Sequence, residues 1–190
     1  MRVGVLALQG DVREHIATLE SLGARAFPVK TLAELEMADG LVIPGGESTT
    51  ISKLLVNFGL MDAVRKFAKN KPVLGTCAGL ILLSNRVAGA LADQQLIGGL
   101  PVAVERNAYG GQTHSFEAEV VIAGEAERVA FIRAPRILDA GDAEVIAELN
   151  GEPVAIKAGN LMGASFHPEI TGGKRLHRVF LELIEKMQAG

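Results

Sequence analysis

Five consecutive residues, Gly75-Thr76-Cys77-Ala78-Gly79, hold the chain's single cysteine. They stand where the short apolar run 72–75 gives way to a helical pattern over 78–85. A strand that enters a sharp turn at a nucleophile and leaves it as a helix is a nucleophile elbow, here with a thiol in place of a hydroxyl. The flanking glycines leave room for a residue in a strained conformation. The helix start beyond offers unpaired N–H groups and the positive end of the helix dipole. Both favour the thiolate, which is the reactive form. The Ala78 amide is placed to bind a developing oxyanion.

A thiol nucleophile needs a base, and the chain has His15, His114, His167 and His177. His167 lies in Ser165-Phe166-His167-Pro168-Glu169, at the end of an apolar run. Pro168 biases the residue before it to extended backbone, in which residues i and i+2 share a side. Glu169 can then orient the imidazole while the other ring nitrogen faces a thiol, which supplies nucleophile, base and orienter. His15 and His177 fall in amphipathic helical patterns and are expected to face solvent. His114, in a polar loop, is assigned no role. The histidines and the cysteine never cluster at ligand spacing in sequence, so no metal is expected.

Pro44-Gly45-Gly46-Glu47-Ser48-Thr49-Thr50 marks a second strand-to-helix junction. Two glycines let the backbone approach a ligand and present N–H groups, and no Gly-Lys-Ser/Thr follows to make a phosphate loop. The stretch reads as the second half of an oxyanion hole, with Glu47 able to hold an ammonium group. In Glu105-Arg106-Asn107-Ala108-Tyr109-Gly110, Arg106 offers a fork that suits a carboxylate. Glu47 and Arg106 together would complement the two charges of a free amino acid.

These motifs need elements to hold them. Residues 2–8 form a continuous apolar run, as in a strand buried on both faces. Asp11 then reads as an N-cap with Glu14 as its capping-box partner, and Gly23 as a helix stop. Strands follow at 25–29 and 40–43, helices at 48–55 and 61–69, and a strand at 72–75. Strands joined by helices demand a parallel sheet covered on both faces. The second half reads as short strands at 102–105, 116–122, 128–132, 144–149, 153–158 and 161–166, with Asn150-Gly151 as a hairpin turn. A final amphipathic helix covers about 174–187. The expected fold is a single α/β domain spanning 1–190: a flavodoxin-like three-layer arrangement, mostly parallel with antiparallel additions.

Composition narrows the function classes. With 19 Lys+Arg against 22 Asp+Glu, the net charge of −3 gives no footprint for nucleic acid or an anionic membrane. One cysteine allows no internal disulfide and suits a reducing compartment. The N-terminus lacks a signal-peptide pattern, and no apolar run reaches the ~20 residues of a membrane span. A cytoplasmic location is therefore expected.

The motifs together resemble a family. Leu8-Gln9-Gly10-Asp11, Pro44-Gly45-Gly46-Glu47-Ser48-Thr49, Gly75-Thr76-Cys77-Ala78-Gly79, Glu105-Arg106-Asn107-Ala108-Tyr109-Gly110, Ser115-Phe116-Glu117, Phe131-Ile132-Arg133-Ala134-Pro135 and Phe166-His167-Pro168-Glu169 occur in that order. This pattern is similar to the glutaminase subunits of pyridoxal 5′-phosphate synthases, a branch of the class I, triad-type glutamine amidotransferases. The resemblance implies Cys77 as nucleophile, His167 as general base and acid, and Glu169 as its orienter. It implies an oxyanion hole from the Gly46 and Ala78 amides and a glutamine pocket lined by Gly46, Glu47, Ser48, Arg106, Ile132 and Arg133. It implies no cofactor. The partner it implies is a barrel-type synthase subunit, in a large heteromeric complex. It also implies weak activity when the chain is free, the oxyanion hole being completed on docking. The chain departs from the family pattern at Gly111, where Arg is common, and at His114, where Asp is common.

Three other readings stay open. One is a glutaminase feeding ammonia to histidine, anthranilate or nucleotide synthesis. Another is a redox or chaperone-like protein that shares only the elbow cysteine, and the last is a non-catalytic interaction subunit.

Overall fold

The apolar runs of the N-terminal half lie side by side as parallel strands in a computed structural model that describes residues 1–106, 108 and 115–190. Strands β1 (Arg2–Leu6), β2 (Arg25–Val29), β3 (Gly40–Ile43) and β4 (Val73–Thr76) are joined in turn by α1 (Val12–Ser21), by α2 (Leu32–Met37), and by α3 (Ser48–Asn57) with α4 (Met61–Asn70). Helix α5 (Ala78–Leu83) then leads to β5 (Ser84–Ala88) and β6 (Leu100–Glu105). Next come β7 (Phe116–Ile122), β8 (Glu125–Phe131), β9 (Arg136–Asp139), β10 (Glu144–Leu149), β11 (Glu152–Ala158) and β12 (Leu161–Ala164), followed by α6 (Pro168–Thr171) and α7 (Arg175–Ala189).

The main sheet has seven strands in the order β10-β11-β12-β4-β3-β1-β2. Strands β12, β4, β3, β1 and β2 run parallel, and β11 and β10 extend the sheet antiparallel. Side chains alternate between its faces because successive residues of a strand point opposite ways. Leu41 and Ile43 enter one apolar layer with Ile51, Leu55, Val64 and Leu80, whereas Val42 enters the other with Leu19, Phe180 and Ile184. Helices α3, α4 and α5 therefore cover one face, and α1 and α7 the other. Each such side chain fully removed from water stabilises the fold by about 1.5–3 kcal/mol. The smaller sheets β5-β6-β9 and β7-β8 are the antiparallel additions, with β5 and β6 themselves parallel.

Several local expectations change in the folded chain. Asp11 precedes α1 but its carboxylate makes no capping hydrogen bond. The box forms instead on α2, where Thr31 Oγ1 accepts from the Glu34 amide at 3.3 Å and Glu34 Oε2 accepts from the Thr31 amide at 2.9 Å. Helices α2 and α6 and strands β5 and β9 have four to six residues each, too few to display a period in sequence. Helix α5 stops at Leu83, because Ser84 turns extended and starts β5. Strand β1 ends at Leu6 rather than residue 8, and β12 at Ala164 rather than residue 166. At the expected hairpin, Asn150 and Gly151 have φ of 53° and 81°, the two positive values that a type I′ turn requires.

Candidate active site

Four loops converge at the carboxyl ends of β1, β3, β4 and β12, where open α/β sheets place their ligands. Gln9 to Asp11 follow β1, Gly45-Gly46 follow β3, Cys77 follows β4 and His167 follows β12. Cys77 stands at φ 49° and ψ −101°. A non-glycine residue there costs of the order of 1–3 kcal/mol and persists only when its surroundings hold it. The Cys77 amide donates to Ala164 O at 2.8 Å, tying the elbow to β12. The helix beyond packs so close to β3 that a Cβ on Gly79 would lie 2.2 Å from Ile43 O. The Cys77 thiol points toward Ile132 O at 3.9 Å.

His167 is held by its own backbone. Its amide donates to Ala130 O at 2.7 Å, an isolated bridge to the end of β8. The residue is extended (φ −111°, ψ 92°), as expected before proline, but Pro168 then begins α6 and Glu169 lies in its first turn. The two side chains meet through this strand-to-helix bend rather than by extended alternation. Glu169 Oε1 lies 2.8 Å from His167 Nδ1, and Asp11 Oδ2 lies 3.2 Å from the same nitrogen. With Nδ1 facing two carboxylates, Nε2 is left for Cys77. Burial opposes a charge on His167, but hydrogen bonds with Asp11, Cys77 and Glu169 outweigh it and push the pKa up to about 12. Burial raises the Glu169 carboxyl above its ordinary range, with His167 partly offsetting it.

Cys77 and His167 open into a cleft of about 340 Å³ that is also lined by Gly46, Glu47, Ser48, Arg106, Ile132 and Arg133. The six residues that the resemblance places in the glutamine pocket thus border one cleft. Glu47 has a further task. It is the N-cap of α3, its carboxylate accepting from the amides of Thr49 at 3.1 Å and Thr50 at 2.7 Å. Burial works against its charge, but these N–H groups prevail and hold its carboxyl below the usual range. Glu47 Oε1 also meets Arg106 Nη2 at 2.9 Å, so the two charges expected to face a substrate face each other here. Arg133 stands at φ 45°, a second strained residue at the rim.

The structure adds residues that sequence reasoning passed over. Gln9 Oε1 accepts from the Glu47 amide at 2.8 Å. Gln94 joins two pocket residues, donating to Ser48 Oγ at 3.1 Å and accepting from Arg106 Nη1 at 3.2 Å. Gln9 and Asp11 belong to the Leu-Gln-Gly-Asp motif, whose place at the first βα junction was the available signal. Gln94 sits in a segment without a distinctive pattern. Among the described residues, Asp11, His167 and Glu169 also bring their ligand atoms within 4.8 Å of one another, a grouping that their sequence spacing conceals.

His15 and His177 correct the expectation of solvent-facing histidines: both are fully buried. His15 Nδ1 lies 2.8 Å from His177 Nε2, and His15 Nε2 lies 3.1 Å from Thr76 Oγ1. Each sits on the inward stripe of its helix, where an imidazole paired with a polar partner replaces an aliphatic side chain. Burial lowers both pKa values; for His15 the neighbouring His177 and His167 add to the effect, and for His177 the value falls to about 4. His114 and Gly111 lie outside the described residues, as do Asn107, Tyr109 and Gly110.

A parallel sheet between helical layers, an elbow cysteine, and a buried histidine–glutamate pair beside it define the class I glutamine amidotransferase type. A crystal structure of a glutamine amidotransferase superposes with a TM-score of 0.90 at 45% identity, over 96% of this chain and 98% of that one. A structure of PurLQS from Thermotoga maritima shares the fold, with a TM-score of 0.65 at 17% identity over 98% of each chain. The chain belongs to the SNO glutamine amidotransferase family, whose model matches residues 5–186. Its relatives include the pyridoxal 5′-phosphate synthase subunit PdxT of Kineococcus radiotolerans, 49% identical over 99% of this chain and 97% of that protein. The protein of the same name from Frankia casuarinae is 50% identical over 100% and 98%.

Proposed function

We propose that this chain hydrolyses L-glutamine to L-glutamate and ammonia through Cys77, His167 and Glu169. The ammonia goes to a synthase subunit that builds pyridoxal 5′-phosphate. The observation that carries this reading is the elbow thiol and the imidazole at one cleft, with the buried Glu169 carboxylate on the imidazole's Nδ1, in a chain of this family.

The cycle follows from the placement of the groups. The Cys77 sulfur attacks the carboxamide carbon of glutamine. The amides of Gly46 and Ala78 bind the oxyanion, each such donor being worth ~2.7–4 kcal/mol where measured elsewhere. His167 Nε2 gives its proton to the departing ammonia, leaving a thioester on Cys77. The neutral imidazole then takes a proton from water as the water attacks the thioester, and glutamate departs. Glu169 keeps Nδ1 occupied, which fixes the ring with Nε2 toward sulfur. Glu47, Ser48, Arg106, Ile132 and Arg133, which line the cleft, receive the amino-acid end of the substrate. For Arg106 to reach the substrate carboxylate, its ion pair with Glu47 must open or be shared.

The partner in this reading is a barrel-type synthase subunit in a large heteromeric complex, located in the cytoplasm. No helix among the described residues is long and apolar enough to cross a membrane. The test is ammonia and glutamate release from L-glutamine, with and without a purified pyridoxal 5′-phosphate synthase subunit. Strong stimulation by that subunit is expected, together with loss of release in Cys77→Ala. Full activity of Cys77→Ala would remove the proposed mechanism. Hydrolysis indifferent to the synthase would redirect the ammonia to another acceptor enzyme.

A further inference from the structure

Next to Glu169 lies a buried polar chain that the proposed cycle does not use. Glu169 is buried, its Oε2 has no hydrogen-bond partner among the described residues, and its Oε1 is 2.8 Å from His167 Nδ1 and 3.5 Å from His15 Nε2. His15 Nε2 is also 3.1 Å from Thr76 Oγ1, next to the nucleophile in sequence, and His15 Nδ1 is 2.8 Å from His177 Nε2. At the far end, His177 Nδ1 is buried without a partner among the described residues.

The protons in this chain can be placed by elimination. Both imidazoles are buried and neutral, so each carries one proton. A proton on His177 Nδ1 would be a buried donor with nothing to receive it, the rarest kind of unsatisfied group. The proton therefore sits on His177 Nε2 and is donated to His15 Nδ1. That leaves the His15 proton on Nε2, pointing at Thr76 Oγ1 and Glu169 Oε1. The opposite arrangement fails twice, since it would also turn the His15 Nε2 lone pair toward the Glu169 carboxylate.

We infer that His15 is a positioning residue for the proposed triad: its Nε2–H, set by His177, holds the Glu169 carboxylate and the Thr76 hydroxyl in place behind His167 and Cys77. The inference rests on the triad reading. With Oε2 unpartnered among the described residues, the buried carboxylate depends on what faces Oε1 to stay ionised and fixed, and His15 Nε2 approaches that oxygen beside His167. His15 supplies a dipole without a second positive charge, which would compete with the imidazolium of His167. The N–H is donated to Thr76 Oγ1 at 3.1 Å, and at 3.5 Å its dipole acts on Glu169 Oε1 electrostatically rather than through a hydrogen bond.

Two substitutions separate this role from simple packing. In His15→Gln the amide nitrogen can take the place of Nε2 and still donate toward Glu169. In His15→Asn the short amide can serve His177 but falls short of Glu169. In the complex with the synthase subunit, His15→Asn is expected to lower kcat for ammonia release about tenfold with KM nearly unchanged, in line with outer partners that orient histidines elsewhere. His15→Gln is expected to recover most of that loss. The rate of iodoacetamide alkylation at pH 7, unambiguous because Cys77 is the only cysteine, should fall in His15→Asn as well. Equal kcat for His15→Asn and the parent, or equal impairment of both variants with a raised KM, would overturn the inference. Nitrogen-15 imidazole spectra of the unsubstituted chain test it without any variant: Nε2–H tautomers at both His15 and His177 are expected, and an Nδ1–H tautomer at His15 would refute it. Retained activity in His167→Asn would instead refute the triad itself, which keeps the two failures distinct.

Discussion

Asp11 Oδ2 lies 3.2 Å from His167 Nδ1, the same nitrogen that Glu169 holds at 2.8 Å. The two carboxylates are not equivalent. The Glu169 side chain is fully buried whereas that of Asp11 is one-third exposed, so water screens the longer contact. Asp11→Asn is expected to lower kcat several-fold, and Glu169→Gln by up to about 10⁴, the loss seen when an orienting carboxylate is neutralised in a serine-protease triad. Steady-state kinetics of the complex would decide it, and equal losses would make Asp11 a full orienter of the imidazole.

Gly45 marks where β3 meets the histidine. A Cβ there would lie 2.2 Å from His167 Cε1. The ring has to move by about an ångström to admit it, and displacements of that size cost about 10²-fold in rate. Gly45→Ala should therefore lose most ammonia release while circular dichroism still shows folded protein. Activity within a factor of a few of the parent would show that the ring has slack.

Arg106 divides its guanidinium among Glu47, Gln94 and, in the proposed cycle, the substrate carboxylate. Lysine keeps the charge but not the fork. Arg106→Lys is expected to raise KM for glutamine about tenfold with a smaller change in kcat. The melting temperature should barely move, because Glu47 is partly exposed and such pairs contribute about 0–1 kcal/mol. A large loss of stability without a change in KM would assign Arg106 to the fold rather than to substrate.

The buried histidines set a pH window for stability. His177 has its pKa lowered to about 4 by burial, and that of His15 is lowered as well. In the unfolded chain both take up a proton below about pH 6.5. The folded state cannot follow, so stability falls as the pH drops from about 6.5 toward 4, by up to about 3 kcal/mol for His177. His167, with its pKa raised to about 12, acts in the other window, its contribution fading only as the pH climbs above 6.5. Thermal unfolding of the chain at pH 7 and pH 5 would show the first effect. His177→Phe should flatten that dependence, and an unchanged slope would count against it.

Much of the site is legible in the residues because it is built by local backbone. The elbow at Cys77 needs only a strand, small neighbours and a helix start, all within a few residues. Likewise the bend at Pro168 brings Glu169 onto the His167 ring, two positions away. The parallel sheet follows from alternating apolar runs and helices, since successive parallel strands can be joined only by crossovers. The misses are short elements such as α2 and β9, and side chains whose partners are distant in the chain.

His15 shows the division most clearly. Helical periodicity places it on α1, but whether an imidazole on such a stripe faces water or core depends on what packs opposite. That is decided by α7, which carries His177, 162 positions away, and by β4, which carries Thr76, 61 positions away. Asp11 behaves in the same way: its local sequence reads as a helix cap, and only the docking of the β1 and β12 loops turns its carboxylate to His167 instead. The sequence alone determined the elements and the groups that could react, because backbone preference and hydrophobic period act over a few residues. Which polar groups share the buried space behind those reactive groups was settled only by tertiary structure, because the sheet order joins segments that no local rule relates.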